Sequence, residues 1–91
     1  MQHCKNKNTE TVLKILAQII REERVKQNKS QRLLADEYEI QKSMLSRLES
    51  GINEPKLFSL ISICEALNIK LSDLCIKLEN KLPQNFSLLD K

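Results

Sequence analysis

The residues that β-hairpins, sandwiches and barrels draw on are scarce in this sequence. Glycine occurs once, proline twice, tyrosine once, phenylalanine twice and tryptophan not at all, so turn-rich all-β architectures lack their material. Histidine is nearly absent as well. His3 is the only one, and no Cys/His, Ser/His/Asp or metal-ligand spacing exists, so neither a catalytic constellation nor a metal or other cofactor is expected. Three cysteines, Cys4, Cys64 and Cys75, are odd in number and lack a C-x-x-C pair; they read as reduced thiols rather than a disulfide framework. No stretch approaches the roughly 18 apolar residues of a membrane span. The first eight residues also lack the apolar centre of a secretory signal. A soluble, cytoplasmic protein without membrane association is expected.

What is present suits one small domain of 91 residues, with 41% hydrophobic and 30% charged residues. Fifteen Lys and Arg against twelve Asp and Glu leave a net charge of +3, which permits a polyanionic partner without demanding one. Periodicity supplies the architecture. Met1–Asn8 is polar and aperiodic and is expected to form a flexible arm. From Thr9, an N-cap candidate, Val12, Leu13, Leu16, Ile19, Ile20 and Val25 form one stripe of a helix reaching about Gln27. Ser30 opens a second short helix near 31–38, carrying Leu33, Leu34, Ala35 and Tyr38. A third, with Ile40, Met44, Leu45 and Leu48, ends at Ser50 against the lone Gly51. Pro55 suits the start of a fourth helix, with Leu57, Leu60, Ile61, Cys64 and Leu67 on one side and Asn68 at its close. A fifth opens at Leu71 or Ser72, carries Asp73 near its positive end and Leu74, Leu78 and Leu82 on one face, and stops at Pro83. The expected division is an arm over 1–8, an all-α five-helix domain over 9–82 and a short tail over 83–91.

Helices 2 and 3 have the form that lets one helix rest on a core while entering a DNA major groove. If Leu34, Ile40, Leu45 and Leu48 face inward, then Lys42, Ser43, Ser46 and Arg47 face outward, because side chains three and four apart share a face. Arg47 and Lys42 can reach guanine O6 and N7, and Ser43 can touch a base edge or a phosphate. Gln41, just before helix 3, can do either job, and Ser46 suits a phosphate. Small Ala35 stands where helices 2 and 3 meet closely, a site that a larger side chain would overpack.

Ser30-Gln31, Leu34-Ala35, Ile40, Ser43, Leu45-Ser46, Leu48-Glu49 and Gly51 together resemble the phage-repressor (Cro/Xre-type, lambda-repressor-like) helix-turn-helix family, without insertion. The likeness continues through Pro55, Leu60, Ile63-Cys64, Ala66-Leu67 and Leu71-Ser72-Asp73-Leu74, and backward to Ile20 and Arg24. The resemblance implies a repressor-like DNA-binding transcriptional regulator. It implies that Gln31 binds a phosphate and braces the recognition helix, and that Ser50, Asn53 and Lys56 belong to a loop that contacts the DNA backbone. It also implies that Arg24 and Glu49 form a salt bridge joining helix 1 to the end of helix 3. Glu39 departs from the family preference for glycine in the turn, so the turn is either built differently or mildly strained. Lys29 replaces a usually apolar residue and Tyr38 a usual Leu; Tyr38, if buried, needs a partner for its hydroxyl.

Apolar residues left over by so thin a bundle point to a second copy. Phe58 and Ile61 lie off the innermost line of helix 4, and Cys75, Leu78 and Leu82 extend past the usual last turn of the family. A homodimer through these residues is expected, placing two recognition helices about one DNA turn apart on a palindromic operator. Alternatively, Leu78 and Leu82 cover the underside of helix 1 in a monomer, and Phe86, Leu88 and Leu89 join either packing or none. An antitoxin or restriction-modification controller fits the same residues. So does an interaction module that keeps the fold and antagonises another regulator; a contact with RNA polymerase is also left open. Cys64 faces the core, whereas the role of Cys75 stays open.

Overall fold

The computed structural model describes residues 7–89. Five helices follow one another: α1 (Lys7–Lys26), α2 (Gln31–Tyr38), α3 (Lys42–Ser50), α4 (Leu57–Ala66) and α5 (Leu71–Lys81). Among the described residues there is no strand. Lys7 and Asn8, assigned from sequence to the arm, belong to α1, and Thr9 lies within that helix rather than at its cap. The remainder of the arm, with His3 and Cys4, and the last two residues lie outside the described segment.

α1 packs on α3 and α5, α2 on α3, and α4 on α5. Their shared core contains Leu16, Ile19 and Ile20 from α1, Leu34 from α2, Leu45 and Leu48 from α3, Ile63, Cys64, Ala66 and Leu67 from the α4 region, and Leu74 from α5. Two expected stripes need correction. Val25 is turned to solvent, and the α1 position that continues the Ile19–Ile20 line is taken by Glu23, which is buried. The carboxylate is tolerated there because its Oε2 accepts from Lys26 Nζ at 3.0 Å and lies 3.8 Å from Lys77 Nζ on α5. On α4 the buried line runs through Ile63 and Cys64, with Leu60 packed against it, while Leu57 stays 61% exposed. Pro55 precedes the helix, whose N-cap residue is Lys56. Burial pushes the Cys64 thiol up from its usual pKa, with a smaller contribution from Cys75.

The helix ends explain the short connections. Ser30 caps α2, its Oγ accepting from the Leu33 backbone N–H at 3.0 Å. Among the described residues, four adopt the left-handed region, Asn28, Glu39, Gly51 and Asn68. Asn tolerates it and glycine favours it. Glu39 is the misfit, with φ of 54°, yet the turn closes as a glycine would close it: the Ile40 N–H reaches back to the Ala35 carbonyl at 2.9 Å. The turn therefore keeps the left-handed geometry and carries the strain. Gly51, at φ of 76°, sits under α1, where an added Cβ would lie 3.4 Å from the Lys14 Cα and 3.5 Å from the Ala17 Cβ.

Lys29 and Tyr38 share one arrangement. Lys29 Nζ bonds Glu37 Oε1 at 2.6 Å and sits 5.8 Å from the centre of the Tyr38 ring. The Lys29 side chain is 22% exposed, its charge held by Glu37. Tyr38 is half exposed, so water can serve its hydroxyl. The bond to Glu37 raises the Lys29 pKa.

Two opposite substitutions test the left-handed positions. Glu39→Gly should stabilise by about 0.5–1 kcal/mol, the relief of left-handed strain less the entropy of glycine. Gly51→Ala should cost about 1–2 kcal/mol. Thermal melts read both, and equal midpoints for Glu39→Gly and the parent would refute the strain.

Candidate nucleic-acid interface

α3 is divided along its length. Leu45 and Leu48 are buried and Met44 half-buried, whereas Lys42, Ser43, Ser46, Arg47 and Ser50 are exposed. This division follows from spacing, because holding Leu45 and Leu48 in the core turns the residues between them outward. Gln41, the N-cap residue, is exposed and its side chain makes no capping bond, so its amide can turn outward. Gln41 and Arg47 meet the next loop at a concavity of about 380 Å³, lined also by Asn53, Lys56, Pro55 and Ser59. Residues assigned separately to base and backbone contact are thus neighbours. Glu54 also lines this concavity and is an acid that sequence reasoning did not weigh.

Behind the exposed row stands a buried ionic network. Arg24 meets Glu49 through two bonds, Nε to Oε2 at 2.8 Å and Nη2 to Oε1 at 2.9 Å. Only 1% of the Glu49 side chain is accessible to solvent. Such a two-bond fork is the strong form of the pair. It raises the Arg24 pKa, chiefly through the hydrogen bond to Glu49, against the opposing effect of burial. Arg24 Nη1 donates further to the Lys29 carbonyl at 2.7 Å, tying in the loop before α2. Gln31, half-buried in the first turn of α2, donates from Nε2 to Glu49 Oε1 at 3.0 Å. One Gln31 amide hydrogen is thereby committed inside the protein, which fixes the side chain. The bond from Gln31 to Glu49 is a brace on the recognition helix of the kind that the resemblance implies; the bond to the Lys29 carbonyl was missed from sequence, and the five donors of an arginine, too many for one carboxylate, were the signal.

Ser50 is placed differently from the other outward residues. Its hydroxyl donates to the Arg47 carbonyl at 2.6 Å, so its proton is held by its own helix. Of the residues assigned to a dimer face, Phe58 is 80% exposed and Cys75 is exposed, while Ile61 and Leu82 are half-buried. Leu78 is half-buried and packs against the core, which removes part of it from any partner. Phe58 instead keeps company with Tyr38, Ile40, Met44 and Ala66 around a second concavity of about 630 Å³. Among the described residues no group of three or more His, Cys, Asp or Glu gathers as a metal site, and no helix is long and apolar enough to cross a membrane.

Two short helices about a left-handed hinge, the second half in the core and half in solvent, define a helix-turn-helix module. A family model described as Helix-turn-helix matches residues 20–74, more than half of the chain. The chain belongs to that family, in its Cro/C1-type, lambda-repressor-like form, a family of DNA-binding regulators. No curated protein and no solved structure shows significant similarity to it.

Removing Arg24 tests the network. Arg24→Met leaves the Glu49 carboxylate buried without its cation and should cost about 3–5 kcal/mol. Urea denaturation of parent and variant reads the loss; a change below about 1 kcal/mol would place the pair among exposed ion pairs.

Proposed function

We propose that the protein is a repressor-like transcriptional regulator that binds a palindromic operator as a homodimer, with α3 in the major groove. The observation that carries this reading is the exposed row Lys42, Ser43, Ser46 and Arg47 on a helix whose opposite side is fixed in the core. Lys42, Ser43, Arg47 and Gln41 read bases, Arg47 and Lys42 through guanine O6 and N7. Gln31, Ser46, Asn53 and Lys56 hold phosphates and set the register. Ser50 joins them once its hydroxyl leaves the Arg47 carbonyl. Arg24 and Glu49 touch no DNA and act by holding Gln31 and the end of α3.

The dimer uses the apolar residues of α4, α5 and the C-cap of α5: Phe58, Ile61, Cys75, Leu78 and Leu82. The exposure of Phe58 and its neighbour Leu57 on α4, and of Cys75 and its neighbour Ile76 on α5, supports this face. A two-fold axis there sets two α3 helices one DNA turn apart.

Protection of the DNA upstream of the gene for this protein, compared between the parent and Arg47→Ala, tests base reading. The variant should lose about 1–3 kcal/mol of discrimination at one base pair in each half-site. Equal affinity and identical protection would overturn the role of Arg47. Sedimentation tests the pairing: Phe58→Glu should convert a dimer to a monomer with an unchanged helical spectrum, and a parent that is monomeric at all concentrations would refute it.

A further inference from the structure

A second basic surface lies outside the residues assigned to the recognition helix and its loop. Lys14, Gln18 and Arg21 follow one another along α1 at four- and three-residue steps, so they form one exposed row. This row borders a concavity of about 180 Å³ whose far wall is Ser50 and Gly51, the end of α3. The walls stand close, a Cβ added to Gly51 lying at van der Waals distance, 3.4 Å from the Lys14 Cα and 3.5 Å from the Ala17 Cβ. The floor is Glu49.

Charge decides what such a concavity attracts. Glu49 is the only acid lining it, and its carboxylate is already held by the two bonds from Arg24 and the one from Gln31. Arg21 reaches the same carboxylate only at 4.0 Å through Nε and is 63% exposed. Lys14 is exposed and has no acidic partner within salt-bridge distance among the described residues. Gln18 donates to Glu22, which lies outside the concavity. Lys14, and Arg21 with only its long contact to Glu49, therefore face a shallow recess. The recess is continuous with the exposed row of α3, since Ser50 belongs to both.

We propose that Lys14 and Arg21 hold backbone phosphates beyond the half-site read by α3, so that α1 extends the DNA track past the end of the recognition helix. The inference rests on the DNA-binding reading above and deepens it by assigning contacts on a helix outside the helix-turn-helix. Phosphates of the strand leaving the major groove at Ser50 meet Arg21 and then Lys14, which carry no base preference. Arg21 is freer to do so than Arg24, because its one acidic neighbour is satisfied without it.

Salt dependence of binding separates this surface from the recognition helix. A mixed-sequence 30-base-pair duplex and the parent chain, titrated at several salt concentrations, give a slope of log affinity against log salt that counts neutralised phosphates. The Lys14→Gln/Arg21→Gln double variant should reduce the magnitude of that slope by about 1.8, for two phosphates at about 0.9 each. It should weaken binding equally on unrelated duplexes. Arg21→Lys should keep the parent slope, which a purely structural role through Glu49 would not produce. An unchanged thermal midpoint in the double variant excludes misfolding as the cause. If the parent binds duplex DNA and the double variant shows the same slope, the α1 surface is refuted and the DNA-binding reading stands. If the parent itself binds no duplex, both fall.

Discussion

The fork between Arg24 and Glu49 governs the geometry of everything near the recognition helix. A carboxylate as enclosed as Glu49 would be costly alone, because removing an ion from water loses several kcal/mol of hydration. Here the same oxygens meet Arg24 twice and Gln31 once, so the charge is met on each side. Two segments consequently meet on one side chain of α3, the last turns of α1 and the first turn of α2, and Arg24 ties in the loop before α2 through the Lys29 carbonyl. The network adds less to stability than its bond count suggests, since desolvation offsets much of it. Its larger effect is to specify position. Neither α2 nor α3 can slide against α1 without leaving a buried charge exposed to an apolar wall.

The fold was legible because the helices are short, amphipathic and punctuated. Ser30, Gly51 and Asn68 stand at helix limits, and Leu16, Ile20, Leu34, Leu45 and Leu74 fall inside the core as spacing requires. The failures have a common physical cause. Glu23 is buried by virtue of lysines from two helices, Lys26 and Lys77, and the second lies far along the chain. Leu57 and Val25 are apolar but fall off the faces that tertiary packing selects, and a periodic count alone could not choose between Leu57 and Ile63. Helix starts slipped by about two residues, as at Pro55 and Thr9, because more than one nearby residue could serve as a cap.

The outward row of α3 could be read from its spacing, since four fixed apolar neighbours leave it no other direction. Its surroundings could not. The neighbourhood of Gln41, Arg47, Asn53 and Lys56 depends on how the loop after Gly51 folds back, and that loop has no periodicity to read. Sequence likewise grouped Phe58 with the apolar residues of α5, whereas the fold sets it beside Tyr38, Ile40 and Met44 at the hinge between α2 and α3. The left-handed turn at Glu39 brings these together, so a residue ill suited to its backbone also shapes the surface next to the recognition helix.

The amide of Asn8, in the first turn of α1, donates to the carbonyl of Ser87 at 2.9 Å, 79 positions later. The two extremities of the folded segment are thus pinned at a single point, and the polypeptide closes almost into a loop. A circularly permuted chain, with those extremities spliced by a brief spacer and new termini opened elsewhere, would retain the same helix contacts. Any cargo fused to either extremity would likewise hang from one common corner of the molecule.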